Sequence, residues 1–65
     1  MKILVNGEPV QIAGQTLEQA LEELGLGNSR VATAVNEVFV PTAARAAHAL
    51  DAGDRVEVLA PQQGG

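Results

Sequence analysis

The sequence predicts an α+β fold in which one mixed sheet of about five strands wraps around a single main helix. Three observations point there. The pair Asn6-Gly7 lies between two short alternating stretches, which is the strongest local signal for a β-hairpin. A stretch opening at Thr16 carries one apolar stripe at helical spacing. Three further short runs, rich in valine and alanine, then alternate with the period of a strand. A chain of 65 residues makes one domain, so a helix with a single apolar face must lie across that sheet.

Taken in order, Lys2 to Asn6 reads as the first strand and Glu8 to Ile12 as its returning partner. Pro9 has no N–H to donate, so this second strand belongs at an edge or a strand start. Thr16 is an N-cap residue with Gln19 three positions on, the spacing of a capping box. Leu17, Ala20, Leu21 and Leu24 form the apolar stripe, with Glu18, Glu22 and Glu23 opposite. Glu18 suits the positive end of the helix dipole and Glu23, near the negative end, does not. Gly25 is placed to stop the helix in a left-handed conformation, with Leu26 folding back over the last turn. Val31 to Val35 is the third strand, Asn36-Glu37 a turn, and Val38 to Val40 a short fourth strand ended by Pro41. Thr42 is expected to cap a short helical stretch running towards Leu50. Asp51 to Asp54 is a tight turn, and Arg55 to Leu59 is the fifth strand.

One mixed sheet around one helix is the β-grasp architecture. Its expected core is Ile3, Val5, Val10, Ile12, Leu17, Leu21, Leu24, Val31, Val35, Val40, Leu50, Val56 and Val58. The far face of the sheet is left with Leu4, Ala32, Ala34, Phe39 and Leu59. A solvated sheet face is ordinarily polar, so small and apolar residues there mark a partner-docking surface. The alanines would let a partner approach closely.

Composition narrows the function. The absence of cysteine excludes disulfides, a thiolate nucleophile and cysteine-based zinc sites, and fits a cytoplasmic protein. His48 is the single histidine, so neither a histidine-rich metal site nor a catalytic triad has its usual parts. Net charge is −4, with acids outnumbering bases eight to four, which disfavours nucleic acid. No apolar run reaches the roughly 20 residues of a membrane span, and Met1 to Val5 carries no cleavable signal pattern. With so few groups for acid-base or nucleophilic work the protein is not expected to be an enzyme. No cofactor or metal is expected, and a monomer is the simplest state.

The last five residues, Pro61-Gln62-Gln63-Gly64-Gly65, form a tail beyond the domain of residues 1–60. Glycine lacks a Cβ, so a Gly-Gly end is thin enough to thread a narrow channel and present a carboxylate inside another protein's active site. Pro61 ends the strand's hydrogen bonding and stiffens the start of the tail. Gln62 and Gln63 add no negative charge and can hydrogen-bond a channel wall. Gly65 needs no processing to expose its carboxylate, and with Lys2 the only lysine the chain is a poor target for chain-building conjugation.

These features together resemble the ubiquitin-like proteins and, within them, the ThiS family of sulfur carriers of thiazole (thiamine) biosynthesis. The likeness spans the chain. It is carried by Val31-Ala32-Thr33-Ala34-Val35-Asn36, by Phe39-Val40-Pro41, by Asp51-Ala52-Gly53-Asp54-Arg55-Val56-Glu57 and by Gly64-Gly65. Met1 to Gly7 and Gly14-Gln15-Thr16-Leu17 add support. After the proline of the fourth strand the family commonly carries arginine, and a large residue often follows. Here Thr42 and an alanine-rich run stand instead, with Arg45 placed to supply the charge one turn later.

The resemblance implies a route. A ThiF-type adenylyltransferase consumes ATP to adenylate the Gly65 carboxylate. A sulfur donor, such as a cysteine desulfurase carrying a persulfide, then leads to a thiocarboxylate. A ThiG-type thiazole synthase takes the sulfur. The same features admit a carrier for another pathway, such as the molybdopterin synthase small subunit, which also ends in Gly-Gly but is usually longer. They also admit a ubiquitin-like protein modifier, or a plain interaction module.

Overall fold

In the computed structural model, residues 1–60 are described. The sequence reading of residues 61–65 as a separate tail therefore lies outside the described residues. The elements are β1 (Lys2–Val5), β2 (Glu8–Gln11), α1 (Leu17–Glu23), β3 (Ala32–Val35), β4 (Val38–Val40), a 3₁₀ helix (Thr42–Ala47) and β5 (Arg55–Leu59). They form one five-stranded sheet in the order β2-β1-β5-β3-β4. β1 runs antiparallel to β2 and parallel to β5, while β3 runs antiparallel to both β4 and β5. The last strand is therefore the central one.

Local chemistry explains each junction. Asn6 and Gly7 both take positive φ, 50° and 85°, as a two-residue hairpin turn of matching twist requires. Asn6 also extends the β1–β5 pairing after β1 has turned away. Its side-chain carbonyl accepts the Val58 N–H at 2.8 Å, and its amide donates to the Val58 carbonyl at 3.1 Å. Asn36 does the equivalent work at the other hairpin. Its side-chain carbonyl accepts the Arg55 N–H at 3.0 Å, and its own N–H donates to the Arg55 carbonyl. Both turn asparagines thus pin β5.

Helix α1 opens with the expected capping box. Thr16 Oγ1 accepts the Gln19 N–H, and the Gln19 side chain accepts the N–H of Thr16 at 3.2 Å and of Gln15 at 2.7 Å. It closes on Gly25 at φ 79°. There the Leu26 N–H reaches the Leu21 carbonyl and the Gly25 N–H the Glu22 carbonyl, the paired bonds of a Schellman ending. Leu26 folds back against the core as its position predicts.

The helix lays Leu17, Ala20 and Leu21 on Ile3, Val35, Val40 and Val56 of the sheet, with Ile12 and Leu50 closing the ends. Each fully buried aliphatic side chain contributes about 1.5–3 kcal/mol, which is what holds so short a chain without disulfides. Val5, Val10 and Val58 are half-buried against this core. The expected core departs from the observed one at Leu24 and Val31. Leu24 is half-buried at the helix C-cap, where the chain is already leaving the sheet. Val31 lies one residue before β3, which starts at Ala32. Ala20, outside the expected set although on the helix's apolar stripe, is fully buried in the core.

The segment after β4 also differs from expectation. Thr42 does not cap it: Pro41 holds the cap position at φ −68°, with no side-chain cap bond. The Pro41 carbonyl instead accepts the Ala44 N–H at 2.9 Å, setting the tighter 3₁₀ winding. The chain beyond it is tied to α1 by the Leu17 N–H on the His48 carbonyl and the Leu50 N–H on the Gln15 carbonyl.

Candidate functional site

Strand register fixes which side chains share the face opposite α1. Leu4 pairs with Arg55, Ala32 with Leu59, and Ala34 with both Glu57 and Phe39. Partners in register project from the same side of a sheet. Leu4, Ala32, Ala34, Phe39 and Leu59 therefore lie on one face, together with Arg55 and Glu57. Phe39 is 65% exposed and Leu59 66% exposed, and with Val38 they are the exposed large hydrophobic side chains among the described residues. Phe39 is also the only aromatic residue in the chain. Leaving it in water forgoes the stabilisation its burial would give.

The five residues are not one cluster. Ala32, Ala34, Phe39 and Leu59 line a shallow depression of about 100 Å³, with Glu57 and Thr33. Leu4 lines a neighbouring depression with Asn6, Gly7, Arg55 and Val56, and Glu57 borders that one too. Glu57 stands between the two. Leu4 is half-buried rather than exposed, because Pro9 and Arg55 flank it in register. The predicted tail residues Pro61, Gln62, Gln63, Gly64 and Gly65 lie outside the described residues. β5, which precedes them, ends at Leu59 on this same exposed face.

Arg45 does not supply a surface charge in place of the missing arginine at position 42. It is buried, with 8% exposure. Its Nε donates to Thr33 Oγ1 at 3.1 Å and its Nη2 to the Val31 carbonyl at 2.6 Å. Thr33 Oγ1 in turn donates to the Val40 carbonyl at 2.8 Å. The guanidinium is drawn inward by the Val31 carbonyl, just before β3, and by the buried Thr33 hydroxyl within it, which accept its N–H groups. A threonine at the centre of a core-facing strand was the available signal for this link.

Two acids are held below the usual carboxylate range. Glu23 accepts the N–H of Ala13 at 2.8 Å and of Gly14 at 2.6 Å, and those backbone bonds lower its pKa. Asp54 accepts from the Asp51 N–H and from the Asn36 amide, which lowers its pKa in that order. Both serve loops rather than chemistry. Among the described residues no group of three or more histidine, cysteine, aspartate or glutamate residues could hold a metal ion, and no helix is long and apolar enough to cross a membrane.

A five-stranded mixed sheet cradling one helix, with an apolar outer face beside its last strand, is a ubiquitin-like β-grasp domain. The ThiS family profile matches residues 3–65, and the chain belongs to the ThiS family. It is similar to the sulfur carrier protein ThiS of Thermus thermophilus, with 40% identity over 63 residues, covering 97% of this chain and 98% of that one. It is 38% identical over 66 aligned positions to a thiazole synthase of Paramagnetospirillum magneticum, covering all of this chain but 20% of that larger protein. The crystal structure of thiamine biosynthesis protein ThiS from Geobacter metallireducens superposes with a TM-score of 0.84 at 28% identity, with both chains covered in full.

Proposed function

We propose that this protein is a sulfur carrier for thiazole formation in thiamine biosynthesis, with the sulfur held on the carboxyl group of Gly65. The observation that carries the reading is the family match through residues 3–65, which takes in Gly64 and Gly65. A carboxylate is a poor acylating agent because its oxygen is a poor leaving group. A ThiF-type enzyme therefore activates it: a Gly65 oxygen attacks the α-phosphate of ATP, pyrophosphate leaves, and an acyl-adenylate remains. The terminal sulfur of a persulfide, supplied by a donor such as a cysteine desulfurase, attacks the acyl carbon and displaces AMP. Reductive cleavage of the resulting S–S bond by a thiol leaves the thiocarboxylate. Thiazole synthase accepts that sulfur, so free sulfide is never released. ATP is spent by the partner, and this chain supplies a carboxylate and a surface rather than catalysis.

The exposed face around Phe39 and Leu59 serves as the docking surface that aims the tail, since β5 leads directly towards it. Intact-mass measurement with fragment ions tests the proposal, after incubation with ATP, a sulfur donor and an activating enzyme. One oxygen is replaced by sulfur, localised to Gly65. Localisation matters because oxidation of Met1 changes the nominal mass equally. Deleting Gly65, or Gly65→Ala, abolishes the transfer while the thermal melt is unchanged. Transfer at the normal rate by the truncated chain would sink the carrier reading.

A further inference from the structure

Glu57 has no role within the fold. It sits mid-strand on β5, the central strand, on the face turned away from the core. Glutamate is disfavoured in strands unless a cross-strand neighbour of opposite charge faces it. On the β3 side its partner in register is Ala34. On the other side β1 has ended at Val5, and the next residue, the uncharged Asn6, spends its polar groups on the backbone of Val56 and Val58. Arg55, two residues back on the same face, makes its contact with Glu37 instead, at 3.9 Å. Among the described residues Glu57 makes no salt bridge and no side-chain hydrogen bond, although it borders both depressions of the apolar face.

An acid in that position becomes costly when a partner excludes water, unless the partner brings a cation. We propose that Glu57 is a specificity-determining residue: it receives an arginine or lysine of thiazole synthase, ringed by the aliphatic and aromatic groups around Ala34, Phe39 and Leu59. This rests on the carrier reading above. Thiazole synthase is favoured as the occupant because a stretch similar to this whole chain occurs within a longer thiazole synthase, which puts a sequence of this kind and a synthase on one polypeptide. Tethering of that kind makes their encounter intramolecular.

The test is the Kd between this protein and thiazole synthase at low and high salt, for the wild type, Glu57→Gln, Glu57→Lys and Leu59→Glu. Glu57→Gln removes the charge and keeps the shape. It should weaken binding by about tenfold and flatten the salt dependence. Glu57→Lys should weaken it further, because like charges then meet. All variants should melt as the wild type does, since both positions are exposed. Unchanged Kd and salt slope for Glu57→Gln, with Leu59→Glu impaired, would overturn the role of Glu57 and leave the docking face standing. Unchanged binding in all variants would remove the face itself and the proposal with it. Self-association of Glu57→Gln at unaltered affinity for the synthase would make Glu57 a solubility device and overturn the proposal.

Discussion

Glu37 takes φ 71° beside Asn36 at 50°. A type I′ hairpin turn needs positive φ at both positions, which asparagine tolerates and glutamate adopts only with strain. Glu37→Gly should therefore raise stability by about 1 kcal/mol, even though glycine gains entropy in the unfolded chain. The melting temperature should rise by roughly 4–8 °C for a domain this size, which differential scanning calorimetry would resolve. The ion pair with Arg55 is lost, but it is long and solvated and contributes little. A lowered melting temperature would show that Glu37 is held by more than this turn. The sequence made the turn legible through Asn36, but not its handedness at Glu37, since glutamate advertises no such conformation. The buried pair of Thr33 and Arg45 was half hidden: strand alternation turns Thr33 towards the core, but nothing in the sequence names Arg45 as its partner.

Helix α1 was nearly complete in the sequence: Thr16, Gln19 and Gly25 each name one boundary by a known hydrogen-bond geometry. Its use as an anchor was not. Glu23 reaches back to the loop after β2, and Gly14 there has no room for a side chain, since a Cβ would lie 2.5 Å from that of Gln19. An acid at the unfavourable end of a helix was the only hint that it is spent on another segment. The bonds to Ala13 and Gly14 hold Glu23 below its ordinary pKa of 4.5 in the folded state. Its contribution is therefore full above that value and is lost as pH falls through the lower folded value. Glu23→Gln should melt lower than the wild type at neutral pH, with the gap closing in acid. A gap that stays constant below pH 4.5 would rule out the carboxylate as its source.

At the scale of the molecule, alternation in each strand sufficed to assign the faces, and the register places Leu4, Ala32, Ala34, Phe39 and Leu59 on one side. What alternation does not contain is strand order, so the gap that Glu57 and Arg55 open between Leu4 and the other four was not readable beforehand. Expected core members were lost only at strand and helix ends, at Val31 and Leu24, where one residue decides between inside and out, while Ala20 in mid-helix was gained. Leu59→Glu places a charge on the patch without touching the core. Under the carrier function proposed above, it should weaken binding to a ThiF-type enzyme, read by titration calorimetry, while the melting curve stays put. Full affinity in that variant would take Leu59 out of the contact.

The position of β5 has a consequence for how the molecule is made. The hairpins β1–β2 and β3–β4 share no ladder, and only the final strand joins them, with Leu4 meeting Arg55 across most of the chain. The sheet cannot close until residues through Leu59 have cleared the ribosome, and contacts so distant in sequence make closure the slow step of folding. A prematurely terminated chain lacking that strand is two loose hairpins, fit for degradation rather than for docking. Folding thus acts as an inspection of the product: any copy able to present its outer face has been translated at least through Leu59.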